Sequence, residues 1–404
     1  MEAFVASLCL VMLGLYILRK PSLSFRTLLE IIRGRSKTSG GYFSLERATS
    51  SYDNYLSMSL NELADMRYSY GKLGRGHKRI GYELGYPAKL DKLGELNEVN
   101  AKITRAIAKF ARGEFPQLRN AATSSAGGDV GRVRETLKHF VRDWSREGQE
   151  ERDNIFGPIL NVLNQVPLDE RADMKVLIPG SGLGRLAWEV SKLGFETTAN
   201  ELSFFMTLAF RFLVSSSATQ TPNQHTIYPY INWFSHQRNN DNLFRGIAFP
   251  DELPRIGNGL NLIEGDFLEL QAPRREPRIN EPLQKTHSVP IGYDFIVTLF
   301  FIDTSLNVIS TLEHIHSLLR PGGTWINLGP LLWTSGAQAQ LELSLEEVWD
   351  LARAIGFRIH GQNNDLEIPD CYRRRTVECQ YTADKRALMK WLYQAEFWVA
   401  TKNE

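Results

Sequence analysis

The chain has 404 residues, 43% of them hydrophobic, with 47 lysines and arginines against 46 aspartates and glutamates. A net charge of +1 without any basic tract gives no electrostatic footprint for nucleic acid. The ordinary mixture of charged and apolar residues excludes disorder over most of the chain. Three cysteines and no Asn-x-Ser/Thr acceptor argue against a disulfide framework and for a reducing compartment. No His/Cys group has zinc-ligand spacing, so no metal is expected.

In chain order, residues 3–18 form an uncharged apolar run, close to the roughly 17 residues that span a bilayer. Arg19, Lys20, Arg26, Arg33 and Arg35 follow it. This pattern predicts an N-terminal membrane anchor over 1–20 and a basic linker over 21–41, with the body of the protein cytosolic. Residues 42–170 read as a helical region, with apolar residues at helical spacing over 60–68, 90–110 and 133–144 and a small, polar loop at 120–129. From residue 171 to 404 strand and helix signals alternate. Strands are predicted at 175–178, 196–201, 261–264, 293–302, 324–328, 357–360 and 395–400, with helices between most of them. The 293–302 run is almost wholly apolar, as a strand buried on both faces should be. Such alternation implies an α/β domain with a mainly parallel sheet, interrupted by insertions at 216–258 and 272–290.

The run from Val176 to Arg185 passes from a strand into a helix through Gly180-Ser-Gly-Leu-Gly184. Glycines let the chain turn sharply and approach a ligand, and the following helix start favours an anion. Alone, this loop fits a dinucleotide, S-adenosylmethionine or a simple turn. Later strand ends add to it. Glu201 is placed to accept from ribose hydroxyls, Asp266 from an adenine amine, and Phe267 to pack on the adenine face. That combination points to S-adenosylmethionine rather than NAD, bound where open sheets take ligands, at the carboxyl ends of the strands.

The chain resembles the carnosine N-methyltransferase family. The resemblance rests on Phe140-Val-Arg-Asp-Trp-Ser145, Glu150-Glu-Arg-Asp153, the Pro179-to-Glu189 run, Asn200-Glu201, Ser203-Phe-Phe-Met206, Tyr228-Pro229, Phe249-Pro-Asp251, Gly265-Asp-Phe267, Phe300-Phe-Ile-Asp-Thr304 and Trp325-Ile-Asn-Leu-Gly-Pro-Leu-Leu332. It implies a Rossmann-like class I methyltransferase fold, a seven-stranded mostly parallel sheet with an N-terminal helical extension. It also implies S-adenosylmethionine as methyl donor and an imidazole nitrogen of carnosine or a related histidine-containing dipeptide as acceptor. By the same resemblance, His139 (a glutamine in the family), Arg142, Gly180, Glu201, Asp266, Phe267 and Leu299 are cofactor positions. Arg142 suits the methionine carboxylate, since a guanidinium pairs bidentately with one. Asp303 is the implied catalytic and substrate-binding acid, and Tyr381 and Tyr393 shape the substrate pocket; Asn307 is a further rim candidate. The family histidine after Gly-Pro-Leu-Leu-aromatic has no counterpart after Trp333, where Gln338 or Gln340 are the replacements considered. Other readings are an N-methyltransferase for another small molecule or peptide, and a non-catalytic tethered binding protein. A homodimer is an open expectation.

Overall fold

The computed structural model describes residues 41, 43–119, 128–257, 259–273, 292–333, 339–361 and 368–403. The apolar run at 3–18, most of the polar loop at 120–129, nearly all of the second insertion and Gln338 lie outside them. Among the described residues no helix is long and apolar enough to cross a membrane.

Four helices open the described chain: α1 (Leu45–Asp53), α2 (Tyr55–Gly71), α3 (Arg75–Glu83) and α4 (Tyr86–Glu114). Ser44 starts α1 by accepting from the Arg47 N–H, and a proline sits in the first turn of α4, where no backbone donor is lost. Buried positions of α4 recur every three or four residues from Leu90 to Ala111, one stripe of a 3.6-residue period. Two asparagines lie on that stripe, and both have partners. Tyr55 donates its hydroxyl to Asn97 Oδ1 (2.8 Å), and the Asn100 amide exchanges two hydrogen bonds with the backbone of Tyr228 (2.9 and 2.8 Å). The second pair ties α4 to the first insertion. Helices α5 (Val130–Trp144) and α6 (Gln149–Leu163) follow.

The sheet contains β1 (Lys175–Pro179), β2 (Glu196–Glu201), β5 (Leu260–Glu264), β6 (Tyr293–Leu299), β7 (Leu319–Gly329), β8 (Phe357–Ile359), β9 (Arg375–Cys379) and β10 (Tyr393–Lys402). A two-stranded ribbon of β3 (His225–Ile227) and β4 (Ile247–Phe249) lies in the first insertion, with the short α9 (Asn240–Leu243) between its strands. The main path runs β5-β2-β1-β6-β7-β10-β8. Neighbours from β5 to β7 are parallel, and β10 is antiparallel to β7 and β8. That is the seven-strand, Rossmann-like arrangement the sequence implied. The sheet adds β9, which pairs antiparallel with the first half of β10 and has no counterpart among the predicted strands.

Helices α7 (Arg185–Lys192), α8 (Phe204–Val214), α10 (Val308–Leu318) and α11 (Leu345–Ile355) connect the strands. Side chains alternate between two cores. Val176 and Ile178 of β1 belong to the cluster shared with α5 to α8, whereas Leu177 joins α10 and α11. On β10, Phe397 and Val399 point one way and Trp398 and Ala400 the other. Both faces are therefore covered, which explains the near-continuous apolar runs. The order reverses between β1 and β6, so the crevice at their carboxyl ends is the switch point where such sheets bind ligands.

β6 stops at Leu299, three residues short of the predicted end. Phe300 adopts a left-handed backbone (φ 49°), which breaks the strand, and Ile302–Thr304 forms a 3₁₀ turn. The β1–α7 loop is shaped by Gly180, Gly182 and Gly184, with φ of 62°, 57° and 70°. A side chain at Gly184 would begin 2.6 Å from the Phe210 ring, whereas one at Gly182 meets only Arg142 Nη2, at 3.8 Å. Gly184→Ala is thus expected to cost about 3 kcal/mol through strain and overpacking, and Gly182→Ala about 1 kcal/mol through backbone conformation alone. Urea denaturation of the two variants checks this ordering.

Candidate active site

The site is built around the β1–α7 loop and the C-terminal end of α5. The last four carbonyls of a helix have no partner within it. Here all four from Val141 to Trp144 are satisfied. Val141 O accepts from Ser145 Oγ (2.6 Å), Arg142 O from Arg152 Nη1 (2.7 Å), Asp143 O from Arg185 Nη1 (3.1 Å), and Trp144 O from the Asp251 N–H (2.8 Å). The two arginines place positive charge at the negative end of the helix. Both pair with one carboxylate: Arg152 Nη2 and Arg185 Nη1 each lie 2.6 Å from an oxygen of Asp251, which comes from the first insertion. The Arg185 guanidinium packs on the rings of Trp144 and Trp188, and the Trp144 indole donates to Leu183 O in the glycine loop (2.8 Å). Helix end and loop are therefore one rigid piece.

On that piece sit Arg142 and His139. Arg142 is 7% exposed and reaches toward Gly182. Asp143 accepts from its Nε (2.7 Å) and Nη2 (2.9 Å). Burial opposes the charge on Arg142, but the Asp143 carboxylate together with Tyr381 and Glu151 outweighs it and holds the guanidinium ionised beyond its ordinary range. Burial likewise works against the Asp143 charge, and Arg142 overcomes it, holding that carboxyl well below the usual range. The Tyr381 ring lies 4.5 Å from the Arg142 guanidinium, stacks on Phe300 (4.5 Å between centroids) and meets His139 edge-on. Burial raises the Tyr381 hydroxyl pKa against the pull of Arg142. His139 Nδ1 lies 3.7 Å from Asp143 Oδ2 and makes no hydrogen bond, and burial followed by the Arg142 charge lowers its pKa.

Across the loop, Glu201 Oε2 accepts from the Gly182 N–H and Oε1 from the Ser203 N–H, both at 2.8 Å. Burial raises its pKa against these donors. The Leu202 N–H is a third backbone donor, and the carboxylate keeps acceptor capacity for one more. Asp266 Oδ1 accepts from Leu268 N (2.9 Å) and so caps its own turn. Phe267 is 6% exposed and meets Phe301 and His314 edge-on. The Phe301 ring in turn lies over Gly180, where a Cβ would come within 2.6 Å of it. Leu299 is half-buried at the end of β6, against the core beneath.

Asp303, in the turn after β6, is 6% exposed and accepts from the Leu332 N–H through Oδ2 (3.0 Å). Burial raises its pKa to about 6 against that donor. Tyr393 meets the other half of this region edge-on, against Phe300. Asn307 caps α10 through Oδ1 and donates its amide to Gln340 Oε1 (3.2 Å), and Gln340 N donates to Leu306 O (2.8 Å).

A profile of the family described as carnosine N-methyltransferase matches residues 120–404, from the polar loop before α5 to the last residue. The chain belongs to the carnosine N-methyltransferase family. The carnosine N-methyltransferase of Mus musculus is 32% identical over 334 residues, covering 79% of this chain and 76% of that one. The one of Schizosaccharomyces pombe is 34% identical over 287 residues, covering 66% and 70%. Among solved structures, a SAM dependent methyltransferase from Aquifex aeolicus is 14% identical, covers 62% of this chain and 92% of its own, and has a TM-score of 0.34. As a member of the carnosine N-methyltransferase family the chain is a methyltransferase.

The structure brings His139, Arg142, Gly180, Glu201 and Tyr381 to the glycine loop. Asp266 and Phe267 stand beside it through Phe301, and Tyr393 is joined to it through Phe300. Tyr381, a substrate-side residue in the sequence reading, lies directly on Arg142. Three site residues were not singled out from the sequence. Asp143 and Asp251 sit inside the runs that carry the resemblance without a visible role, because their partners are adjacent for one and 66 and 99 residues away for the other. Phe300 reads as one more apolar strand residue, and only its backbone angle marks it. Removing Asp251 takes the paired carboxylate from buried Arg152 and leaves Arg185 with Glu189 and Glu252 alone, so Asp251→Ala is expected to destabilise the fold by about 3 kcal/mol. Chemical denaturation measures it, and a loss under about 1 kcal/mol would mean that Arg152 and Arg185 find other partners.

Proposed function

We propose that the protein transfers a methyl group from S-adenosylmethionine to an imidazole nitrogen of carnosine or a closely related histidine-containing dipeptide. The observation that carries this reading is the pair of sites at one switch point, a cradle for an amino-acid nucleoside on the glycine loop and a buried carboxyl, Asp303, on the adjacent strand end. The residues present fit the donor. Arg142 stands beside Gly182 with the edge that Asp143 does not take, suited to the methionine carboxylate, Glu201 has acceptor capacity for the ribose hydroxyls, and Asp266 and Phe267 suit the adenine end. When bound, S-adenosylmethionine supplies an electrophilic methyl group and a neutral thioether leaving group.

The chain's own contribution is positioning and charge. An imidazole attacks through its unprotonated nitrogen. Asp303 accepts a hydrogen bond from the other ring N–H, which selects the tautomer and turns the lone pair toward the donor. The same carboxylate stabilises the positive charge that grows on the ring. Holding the two reactants in register supplies much of the remaining acceleration. Tyr393 and Phe300 wall the pocket, and the Asn307–Gln340 pair stands at its rim, where the family histidine is missing. Residues 3–18 are proposed as a membrane attachment on their composition and basic flank.

Incubation of the purified protein with methyl-labelled donor and carnosine tests the assignment, and label in the imidazole ring is expected. Label in another amine but none in carnosine would move the acceptor elsewhere. Asp303→Asn is expected to lower kcat by about a hundredfold or more with donor affinity near wild type. The pH dependence has a defined sign. Both Asp303, with its pKa near 6, and the acceptor imidazole, ordinarily about 6.5, work deprotonated. The acid limb of kcat/KM should therefore approach a slope of two below pH 6 and fall to one in Asp303→Asn. Folding shows the opposite trend. The folded state binds the Asp303 proton more tightly than the unfolded chain, whose carboxyl has its ordinary value of 3.8. Ionisation thus costs stability as pH rises from about 4 to about 6, and Asp303→Asn should melt no lower than wild type at pH 8.

A further inference from the structure

A guanidinium offers a carboxylate two edges, one formed by Nε with a terminal nitrogen and one formed by the two terminal nitrogens. In Arg142 the first edge is already taken. Asp143 accepts from Nε at 2.7 Å and from Nη2 at 2.9 Å, a side-on bidentate pair. Adjacent residues on a helix do not face each other, so this pairing is imposed by the surroundings. It has a geometric consequence. Rotation of the guanidinium in its own plane is fixed by Asp143, and the plane is covered by Tyr381 at 4.5 Å. The second edge then has one orientation left to it. Nη2, which belongs to both edges, lies 3.8 Å from the point where a Gly182 side chain would begin, so the guanidinium stands beside the glycine loop, with Tyr381 as its other side-chain partner.

Asp143 is itself held at both ends. Its carbonyl accepts from Arg185 (3.1 Å), its side chain is 2% exposed, and Oδ2 also has His139 Nδ1 at 3.7 Å. Together the Arg142 and Asp143 side chains carry no net charge. Recognition of a carboxylate by this pair consequently depends on where the free edge points rather than on an excess of positive charge.

We propose that Asp143 is a positioning residue that aims the free edge of Arg142 at the carboxylate of the donor's methionine moiety. The inference rests on the reading of Arg142 as the carboxylate anchor. It goes beyond that reading by assigning the selectivity for the amino-acid end of the ligand to a residue that does not touch the ligand.

Calorimetric titration with two ligands tests it, S-adenosylhomocysteine, which has the carboxylate, and 5′-methylthioadenosine, which lacks the amino-acid end. Asp143→Asn keeps the shape but turns one acceptor into a donor against the guanidinium. It is expected to weaken S-adenosylhomocysteine binding about tenfold or more and to leave 5′-methylthioadenosine within about twofold. Should the amide variant not fold, Asp143→Glu, which keeps the charge and displaces it by one methylene, is expected to show the same selective loss. Equal weakening of both ligands would make Asp143 a structural residue and overturn the proposal. Arg142→Ala separates the two readings. If it loses S-adenosylhomocysteine affinity while both Asp143 variants keep theirs, the anchor stands and the positioning role falls. If Arg142→Ala binds S-adenosylhomocysteine as tightly as wild type, the anchor itself fails.

Discussion

The buried charge network of Arg152, Asp251 and Arg185 is the constraint on which the site depends. Helix ends ordinarily spend their unpaired carbonyls on water or a cap. The end of α5 is buried, so its carbonyls must find protein donors, and two arginines provide them. Two buried cations then require an anion, and Asp251 arrives from an insertion between β2 and β5 to meet both. This is why a segment that looks dispensable in an α/β fold is bound to the cofactor side of the molecule. The network fixes the helix end to the glycine loop, and Arg142 is carried to Gly182 as a result.

The backbone at Phe300 plays the corresponding part on the side proposed for the acceptor. Its left-handed conformation ends β6 and sends Phe301 over Gly180, while the Phe300 ring stays between Tyr381 and Tyr393. Gly329 lies against its backbone, where a Cβ would be 3.2 Å from the Phe300 Cα. Non-glycine residues held in this region are strained and persist where the surroundings over-determine them. The turn that follows buries Asp303 and gives its carboxyl two backbone donors, Leu332 N–H and its own N–H. Burial lifts this carboxyl to about 6, which suits the proposed role of accepting a hydrogen bond and answering a growing charge.

How much of this is legible in the sequence follows from the range of the interactions. The strand-to-helix turn at Gly180–Gly184, the acids closing β2 and β5, and the long apolar strand are local patterns, and they stand where the sequence places them. Strand β9 is not legible, because only Val377 and Cys379 face the core and Arg375, Thr376 and Glu378 occupy the rest. The end of β6 is misplaced by three residues, since hydrophobicity continues where the backbone turns. Asp251 is illegible for a different reason. Its role exists only through partners 66 and 99 residues away, and no periodicity reports a contact of that kind. Tyr381 changes neighbours for the same reason, because its position on Arg142 is set by β9 and the loop after it. The family resemblance implies what periodicity cannot, a single site shared by Arg142 and Asp303.

The central claim is that one switch-point crevice holds donor and acceptor, with Arg142 at the carboxylate end and Asp303 at the acceptor. A crystal structure of the protein with S-adenosylhomocysteine and carnosine tests it most directly. The account predicts the homocysteine carboxylate on the free edge of Arg142, the ribose at Glu201, the adenine beside Phe267, and the carnosine imidazole hydrogen-bonded to Asp303. An imidazole that binds away from Asp303, or a carboxylate that leaves Arg142 untouched, would contradict it.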